Sequence, residues 1–482
     1  MPIEFRRLWR LASDHENYSY IFRGDECLLK RKRDLIMKVL REFEKRFNPS
    51  PDEEVYVFFV PGRVEVFGKH TDYAGGHSIL FALDRGFFCI SRVNDLGMIR
   101  IRDINPIYGE RVFKVSDRLE PPIGDWGNYP MTVVKRLCMN FGTWFKGVDI
   151  VFGSDLPVAG GMSGSSALMI MTFLAFAVPN SLFQDPNFKE NIRNENDLAM
   201  YLACIENGRS FKGLAGERGV GTFGGSEDHT IIIAGKRGRL SVYRFSPIIH
   251  KAEITMPSEL SFIILYSGVK AEKTGEARYW YNLASRRAKL AVRRYNDFYG
   301  TRHTVLRDII DENKGLSFED LMSKVERATA NYVERGKDLD LPGRFKQFYM
   351  EDRMIIPEAV KAFTFRDYEE LGRLCDLSHK LSKQYLWNIV EEIDFLQRES
   401  MRCGALASSG FGAGFGGSAY AIVERERSGD FIKKLEESYS KHFPKHVGEY
   451  SFFETNTCNG AIELFTDTSP SGRGGLPFRI GL

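Results

Sequence analysis

A glycine/serine turn joined directly to an apolar helix is the feature that most constrains this chain. The turn and helix read LPVAGGMSGSSALMIMTFLAFAV over residues 156–178, and the preceding GVDIVFGSD, residues 147–155, alternates like a half-buried strand. The order is therefore strand, glycine loop and helix, with the helix predicted to begin at Ser165 or Ser166. Since the first N–H groups of a helix lack intrahelical partners and its start carries about half a positive charge, the loop favours an anion, most obviously phosphate. A flexible linker is the alternative, which the apolar periodicity on both sides disfavours.

Backbone groups alone stabilise a bound anion by only about 0.3 to 2 kcal/mol. A nucleotide triphosphate also needs a divalent cation and basic side chains. We therefore expect carboxylates, an Arg or Lys and a second glycine loop elsewhere in the chain.

The length and charge of the chain limit its organisation and its partners. A chain of 482 residues exceeds one ordinary core, and we predict two domains, 1–240 and 241–482, divided near the charged, turn-rich GKRGRLSVYRFSP. Lys and Arg total 67 against 64 acidic residues, too even a balance to favour nucleic acid or a membrane surface. Seven scattered cysteines without a CxxC pair indicate reduced thiols and a cytoplasmic location. The longest apolar run, 167–178, is too short for a membrane span, and the Ser/Gly/Pro-rich stretch 468–482 is predicted to be loosely held.

A polar island interrupts strand-like sequence over residues 55–93, VYVFFVPGRVEVFGKHTDYAGGHSILFALDRGFFCISRV. A P-loop is rejected, because five residues rather than four separate Gly62 from Gly68 and His70 stands where Ser or Thr is required. The island concentrates hydrogen-bonding groups of both signs, which suits a polyhydroxylated ligand. A charged hairpin held by surface salt bridges is an equal alternative from this island alone. The groups concerned are Arg63, Lys69, His70, Thr71, Asp72 and Tyr73.

Taken together, PGRVEVFGKHTDYAGG and LPVAGGMSGSSA resemble the galactokinase branch of the GHMP small-molecule kinases, whose signature reads GRVNxxGEHTDYNxG. The resemblance implies an α+β, two-domain GHMP kinase fold, with a ribosomal protein S5 domain 2-like N-terminal domain and a ferredoxin-like C-terminal domain enclosing a cleft. It also implies ATP and Mg²⁺ as cofactors and transfer of the γ-phosphoryl group to the anomeric hydroxyl of a monosaccharide. We expect a monomer or weak homodimer.

The resemblance extends to the catalytic and sugar-binding residues. GVGTFGGSEDHTIII, residues 219–233, is predicted as a glycine loop running into an apolar strand and resembles VGxxCGxMDQ, which places Asp228 on the family's catalytic aspartate. Glu227 is the rival, but successive residues of an extended chain point opposite ways, so only one is expected to face the pocket. Arg63 is expected to keep Asp228 ionised. The sugar contacts implied by resemblance are Lys69, His70, Asp72, Gly225 and Tyr281, with Tyr279 as the alternative to Tyr281.

The same resemblance implies the residues that bind the nucleotide and the metal. DWGNYPMTV resembles the family's WANYVKGV helix, so Trp126 is expected to line the adenine pocket, with a core position as the alternative. Glu206, on the predicted helix NDLAMYLACIENGRSF, and Ser165 are expected to hold Mg²⁺, with Ser163 and Ser166 as alternatives because Gly164 interrupts the serine run. The phosphate cradle is expected to comprise Gly160, Gly161, Ser163, Gly164, Ser165 and Ser166.

Two further motifs resemble family elements. GFGAGFGGSAYAIV, residues 410–423, resembles the third glycine motif of the family. A dinucleotide-binding fingerprint is excluded, because the glycines precede a strand rather than a helix. Ser378 and His379 match a histidine-containing pair, and we interpret His379 as structural.

Lys69 is the main departure, because galactokinases have a glutamate there that contacts a sugar hydroxyl, and a cation cannot accept a hydrogen bond. The sugar is therefore open among galactose, arabinose and a uronate. One hypothesis is that Lys69 binds an acidic sugar, and another is that it pairs with Asp72 or Glu65. A non-catalytic sugar- and ATP-binding regulator is the competing class, disfavoured by Arg63, Glu206 and Asp228. A mevalonate or homoserine kinase is disfavoured by HTDY.

Overall fold

The computed structural model describes residues 2–22, 26–271, 275–334 and 336–465. The stretch 468–482, predicted as loosely held, lies outside them. Within the described ranges, no helix combines the length and the apolar character that crossing a membrane requires.

Helices and strands alternate irregularly along the chain. The α-helices of the described residues are α1 Phe5–Ser13, α2 Glu26–Phe47, α3 Asn128–Phe141, α4 Gly164–Ala177, α5 Pro186–Asn191, α6 Glu195–Asn207, α7 Glu227–Ala234, α8 Gly275–Tyr299, α9 Leu306–Glu312, α10 Phe318–Thr329, α11 Leu341–Tyr349, α12 Ile356–Phe365, α13 Tyr368–Leu381, α14 Glu391–Arg402 and α15 Ser428–His442. The strands are β1 Ile3–Glu4, β2 Glu54–Phe67, β3 His77–Asn94, β4 Met98–Asp103, β5 Glu110–Lys114, β6 Gly147–Ser154, β7 Arg239–Arg244, β8 Ile249–Thr255, β9 Leu260–Tyr266, β10 Val333–Glu334, β11 Lys337–Asp338, β12 Ala407–Gly410, β13 Ser418–Glu424, β14 Ser451–Thr455, β15 Thr457–Cys458 and β16 Ile462–Glu463.

A large sheet is built around the long antiparallel pair β2 and β3. Its main order is β1-β2-β3-β6-β4-β5, while β7 and β15 pair with β3, β8 pairs with β7, and β16 pairs with β2. Side chains alternate between the two faces, so Phe58 packs into the cluster that includes α4 and Phe59 into the cluster that includes α1 and α2. The sheet is therefore covered on both faces, and the apolar helix α4 is buried beneath it.

A second sheet has four antiparallel strands in the order β12-β13-β9-β14. Apolar residues of β9 pack with those of α14 and α15 to form a separate cluster, as Leu265, Leu396 and Leu435 illustrate. Helices α8 to α11 form a further cluster that includes Leu283, Val325 and Phe345. The predicted α+β class is confirmed.

The predicted domain limits remain a prediction, and the sheets indicate a different division. Position 240 lies inside β7, and both β7 and β8 belong to the large sheet. The change of sheet falls after Thr255 and before Leu260, where β9 begins. After β14 the chain returns to the large sheet through β15 and β16.

The segment 227–234 is a helix, so the predicted apolar strand after the glycine loop is wrong. The run Thr230–Ile233 is short and β-branched, and a short apolar run alone does not distinguish a strand from a buried helix. Glu227 and Asp228 occupy the first turn, where carboxylates favour a helix start. The argument from an extended backbone that only one of these two residues faces the pocket therefore does not apply.

Candidate active site

The loop between β6 and α4 packs against a bulge in β2. The bulge lies between Pro61 and Arg63, and a Cβ added at Gly62 would lie 2.8 Å from the Met162 carbonyl oxygen. Only a glycine therefore allows the loop and the strand to approach this closely. Arg63 N–H donates to the same carbonyl at 3.2 Å, which fixes the loop to the strand.

The same loop offers an anion site at the start of α4. Ala159, Gly161 and Ser163 adopt positive φ angles of 51°, 80° and 56°. The helix begins at Gly164, one residue before the first predicted position. Ser163 Oγ is buried and has no hydrogen-bond partner among the described residues. An unpartnered hydroxyl beside free helix N–H groups fits a phosphate, so the cradle predicted from Gly160 to Ser166 has suitable chemistry.

Arg63 and Asp228 form a partly buried ion pair beside this loop. Arg63 Nε donates to Asp228 Oδ1 at 2.6 Å, and Arg63 Nη1 donates to the Gly161 carbonyl oxygen at 2.6 Å. Burial lowers the pKa of Arg63, but the neighbouring carboxylates of Asp228, Glu227 and Glu65 raise it on balance. One guanidinium thus connects the predicted catalytic carboxylate to the phosphate loop.

A polar cavity opens at this pair and gathers most of the predicted residues. Those that line it are Arg63, His70, Asp72, Ser166, Glu206, Gly225, Asp228 and Tyr281. Tyr73 of the polar island also lines it. The sequence reasoning missed other lining residues, among them Glu65, Asn207, His229 and Ala413, and disfavoured Glu227. Alternation along β2 could have revealed Glu65, because it lies on the same face as Arg63 while Val64 and Val66 enter the core.

Asp72 and Gly225 lie in close contact at the cavity wall. Asp72 accepts hydrogen bonds from Tyr73 N–H at 2.7 Å and Glu227 N–H at 3.2 Å. Burial raises the pKa of Asp72 to about 6, against the lowering effect of these hydrogen bonds. A Cβ at Gly225 would lie 2.0 Å from Asp72 Oδ2, so the absence of a side chain at 225 is required by the position of Asp72.

His70 and Tyr281 form another part of the wall. The His70 ring lies 5.9 Å from the Tyr281 ring, and His70 Nδ1 is 2.8 Å from the Tyr73 hydroxyl. Arg344 Nη2 donates to the His70 carbonyl oxygen at 2.6 Å, which holds the backbone at a φ of 58°. Tyr279 instead is 42% exposed and lines a separate cleft, so the geometry favours Tyr281 of the two predicted tyrosines.

Glu206 is surrounded by groups suited to a hard cation. Ser166 Oγ donates to Glu206 Oε2 at 2.8 Å, Thr222 Oγ1 donates to Oε1 at 3.4 Å, and His229 Nε2 lies 3.2 Å from Oε2. Ser166 lines the cavity, whereas Ser165 does not. Among the described residues, no group of three His, Cys, Asp or Glu side chains could hold a metal by itself. A carboxylate and a hydroxyl fit Mg²⁺ that is also bound by phosphates, and Ser166 fits this role better than the predicted Ser165.

The Lys69 side chain does not line the cavity. Its Nζ donates to Ser378 Oγ at 2.7 Å, and Ser378 Oγ lies 2.9 Å from both carboxylate oxygens of Glu351. Glu351 also accepts from Gly68 N–H at 2.9 Å. The direct hydrogen-bond partner of Lys69 is therefore Ser378 rather than Asp72 or Glu65, and its contact with the sugar stays a prediction.

Two other predicted residues lie at the edges of this region. Trp126 Nε1 donates to the Tyr108 carbonyl oxygen at 2.9 Å, and the Arg111 guanidinium lies 5.1 Å from the Trp126 ring. Its role at the adenine remains a prediction. His379 Nδ1 accepts from Gly410 N–H at 3.2 Å, at the end of β12 where the third glycine motif begins.

Comparison with known proteins identifies the relatives of this chain. Residues 41–92 match the galactokinase galactose-binding signature, 128–210 the GHMP kinases N terminal domain and 357–441 the GHMP kinases C terminal domain. Galactokinase of Dictyostelium discoideum is 24% identical over 516 residues, covering 94% of this chain and 97% of its own length. Galactokinase of Roseiflexus sp. is 27% identical over 403 residues, covering 83% and 91%. The crystal structure of Lactococcus lactis galactokinase complexed with galactose has a TM-score of 0.70 and 21% identity, covering 88% of this chain and 99% of that one.

Proposed function

Since this chain belongs to the GHMP kinase superfamily and is a galactokinase-like phosphotransferase within it, we propose that it transfers the γ-phosphoryl group of ATP to the anomeric hydroxyl of a neutral monosaccharide. The observation that carries this proposal is the double contact of Arg63. Its guanidinium binds Asp228 on one side and the Gly161 carbonyl oxygen on the other. The carboxylate that would accept a proton and the loop that would hold the phosphates are thus kept next to each other.

The residues of this chain would act mainly by positioning and by balancing charge. Asp228 would accept the proton of the sugar hydroxyl. An ordinary aspartate, with a pKa of about 3.9, is a weak base for an alcohol, so the proton would move late in the reaction. Arg63 would favour the ionised form of Asp228 and offset charge on the transferring group. Glu206 and Ser166 would hold Mg²⁺, which neutralises phosphate charge when bound with ATP.

The charges around the cavity support a neutral sugar over a uronate. Five carboxyl groups line it, those of Glu65, Asp72, Glu206, Glu227 and Asp228. A sugar carboxylate placed among them would be repelled, because like charges in a poorly solvated site cost free energy. Lys69, the cation suggested to bind such a sugar, is directed to Ser378 instead.

A panel of sugars with ATP tests this proposal. We expect phosphorylation of galactose or arabinose, and rates on galacturonate and glucuronate that are lower by at least about tenfold. Higher rates on either uronate would refute the neutral substrate. Binding of sugar and ATP without turnover of any sugar would instead favour the non-catalytic regulator.

A further inference from the structure

Two buried glutamates lie side by side behind the Arg63–Asp228 pair. Glu65 follows Arg63 by two residues on β2, and Glu227 precedes Asp228 at the start of α7. Their exposed fractions are 1% and 8%, both line the cavity, and each carboxyl group acts electrostatically on the other. Two ionised carboxylates this close in a buried site repel each other, so the pair is favoured when one of them carries a proton.

The contacts of each glutamate indicate where the proton lies. Ser78 Oγ donates to Glu227 Oε2 at 2.8 Å, while the buried Glu65 Oε1 receives no N–H or hydroxyl from the described residues. A protonated Glu227 is placed to supply the donor that Glu65 lacks. We propose that Glu227 is a neutral acid hydrogen-bonded to the Glu65 carboxylate, and that this one-proton pair positions Arg63 and Asp228.

The charges that face the two residues agree with this assignment. Glu65 faces the cations Arg63 and Lys69 as well as Glu351, and burial raises the pKa of Glu65 to about 7 although the two cations lower it. Burial also raises the pKa of Glu227 well above its ordinary value, and the carboxylates of Glu65, Asp72 and Asp228 raise it further. The negative charge is therefore favoured on Glu65, which lies beside the cations, and the proton is favoured on Glu227, which lies beside the other carboxylates. Lys69 thereby has a role that needs no acidic substrate, since its charge favours ionised Glu65.

The proton on Glu227 matters for the neighbouring ion pair. If Glu227 were ionised, a second carboxylate would compete with Asp228 for the Arg63 guanidinium. The 2.6 Å contact between Arg63 Nε and Asp228 Oδ1 would weaken, and with it the orientation of the carboxylate in the cavity. This consequence for turnover rests on the proposed phosphoryl transfer, whereas the protonation of Glu227 does not.

Infrared spectroscopy tests the protonation without any turnover. At a pH of about 8, ordinary carboxyl groups are ionised. We expect a protonated-carboxyl C=O band in the wild-type protein that is lost in Glu227→Gln, since glutamine copies the shape and the donor of the neutral acid. Glu253→Gln, which removes a carboxylate from the outer strand β8, should keep the band. A wild-type protein without the band, or a band that survives Glu227→Gln, would overturn the proposal.

The pH dependence of turnover tests the positioning role. The kcat of the wild type should fall at alkaline pH with little change in the KM for sugar. The kcat of Glu227→Gln should stay within about threefold of the wild-type value at neutral pH and should not fall at alkaline pH. Identical pH profiles would overturn the positioning role even if phosphoryl transfer is demonstrated. If the wild type has no turnover, the proposed function fails, and the infrared band still decides whether the pair holds a proton.

Discussion

Replacing Gly225 by alanine tests whether Asp72 binds the sugar. The new Cβ would lie 2.0 Å from Asp72 Oδ2, about 1 Å closer than real Cβ contacts allow, and Asp72 is 4% exposed and bonded to two backbone N–H groups. The carboxylate must therefore move. A hydrogen bond to a charged group contributes about 1.5 to 3 kcal/mol, and loss of such a bond to a sugar hydroxyl lowers kcat/KM by about 10- to 150-fold.

Steady-state kinetics with both substrates varied would measure this effect. We expect this lower kcat/KM to appear as a higher KM for sugar, while the KM for ATP changes by less than about twofold. Gly224→Ala should have a smaller effect, because its Cβ would meet only the Tyr281 hydroxyl at 2.9 Å. Gly429→Ala on helix α15 is the matched control, since no atom of the described residues beyond its chain neighbours and its own helix backbone would lie within 4 Å of the added Cβ. An unchanged KM for sugar in Gly225→Ala would refute the assignment of Asp72.

Three other changes give distinct expected outcomes. Asp228→Asn should lower kcat by about 10²- to 10⁴-fold while nucleotide binding, measured by calorimetry, stays nearly unchanged, and unaltered turnover would exclude Asp228 as the base. Ser166→Ala should raise the Mg²⁺ concentration needed for half-maximal activity by at least about fivefold, whereas Ser165→Ala should not, and the reverse order would restore Ser165 as the metal ligand. Glu65→Gln should flatten the pH dependence of the unfolding midpoint. Burial raises the pKa of Glu65 from 4.5 to about 7, so protonation of Glu65 stabilises the folded protein at low pH. This contribution is lost as the pH rises to about 7. A variant whose unfolding midpoint has the wild-type pH dependence would contradict that pKa shift.

The sequence predicted those parts of the site whose signals are local. The phosphate loop combined an alternating strand, a glycine turn and an apolar helix, and the structure has β6, the loop and α4 in that order. The polar island between two apolar runs likewise became the turn between β2 and β3. In each case the neighbouring residues alone specify the backbone, so distant parts of the chain were not needed for the prediction.

Other features depend on contacts between distant residues. Lys69 donates to Ser378, 309 residues away, and no local pattern indicates that partner. Glu65 and Glu227 meet only because β2 and α7 pack together. The helix α7 was predicted as a strand because its apolar run is too short to show a helical period.

The return of the chain to the large sheet bears on how the protein is made. Strands β15 and β16 place residues 457–463 beside β3 and β2, which carry the cavity residues Arg63 and Glu65. A growing polypeptide therefore cannot complete this sheet until residue 463 has been joined. An N-terminal fragment ending before residue 457 would leave those strand segments unpaired, and we expect it to aggregate rather than bind nucleotide.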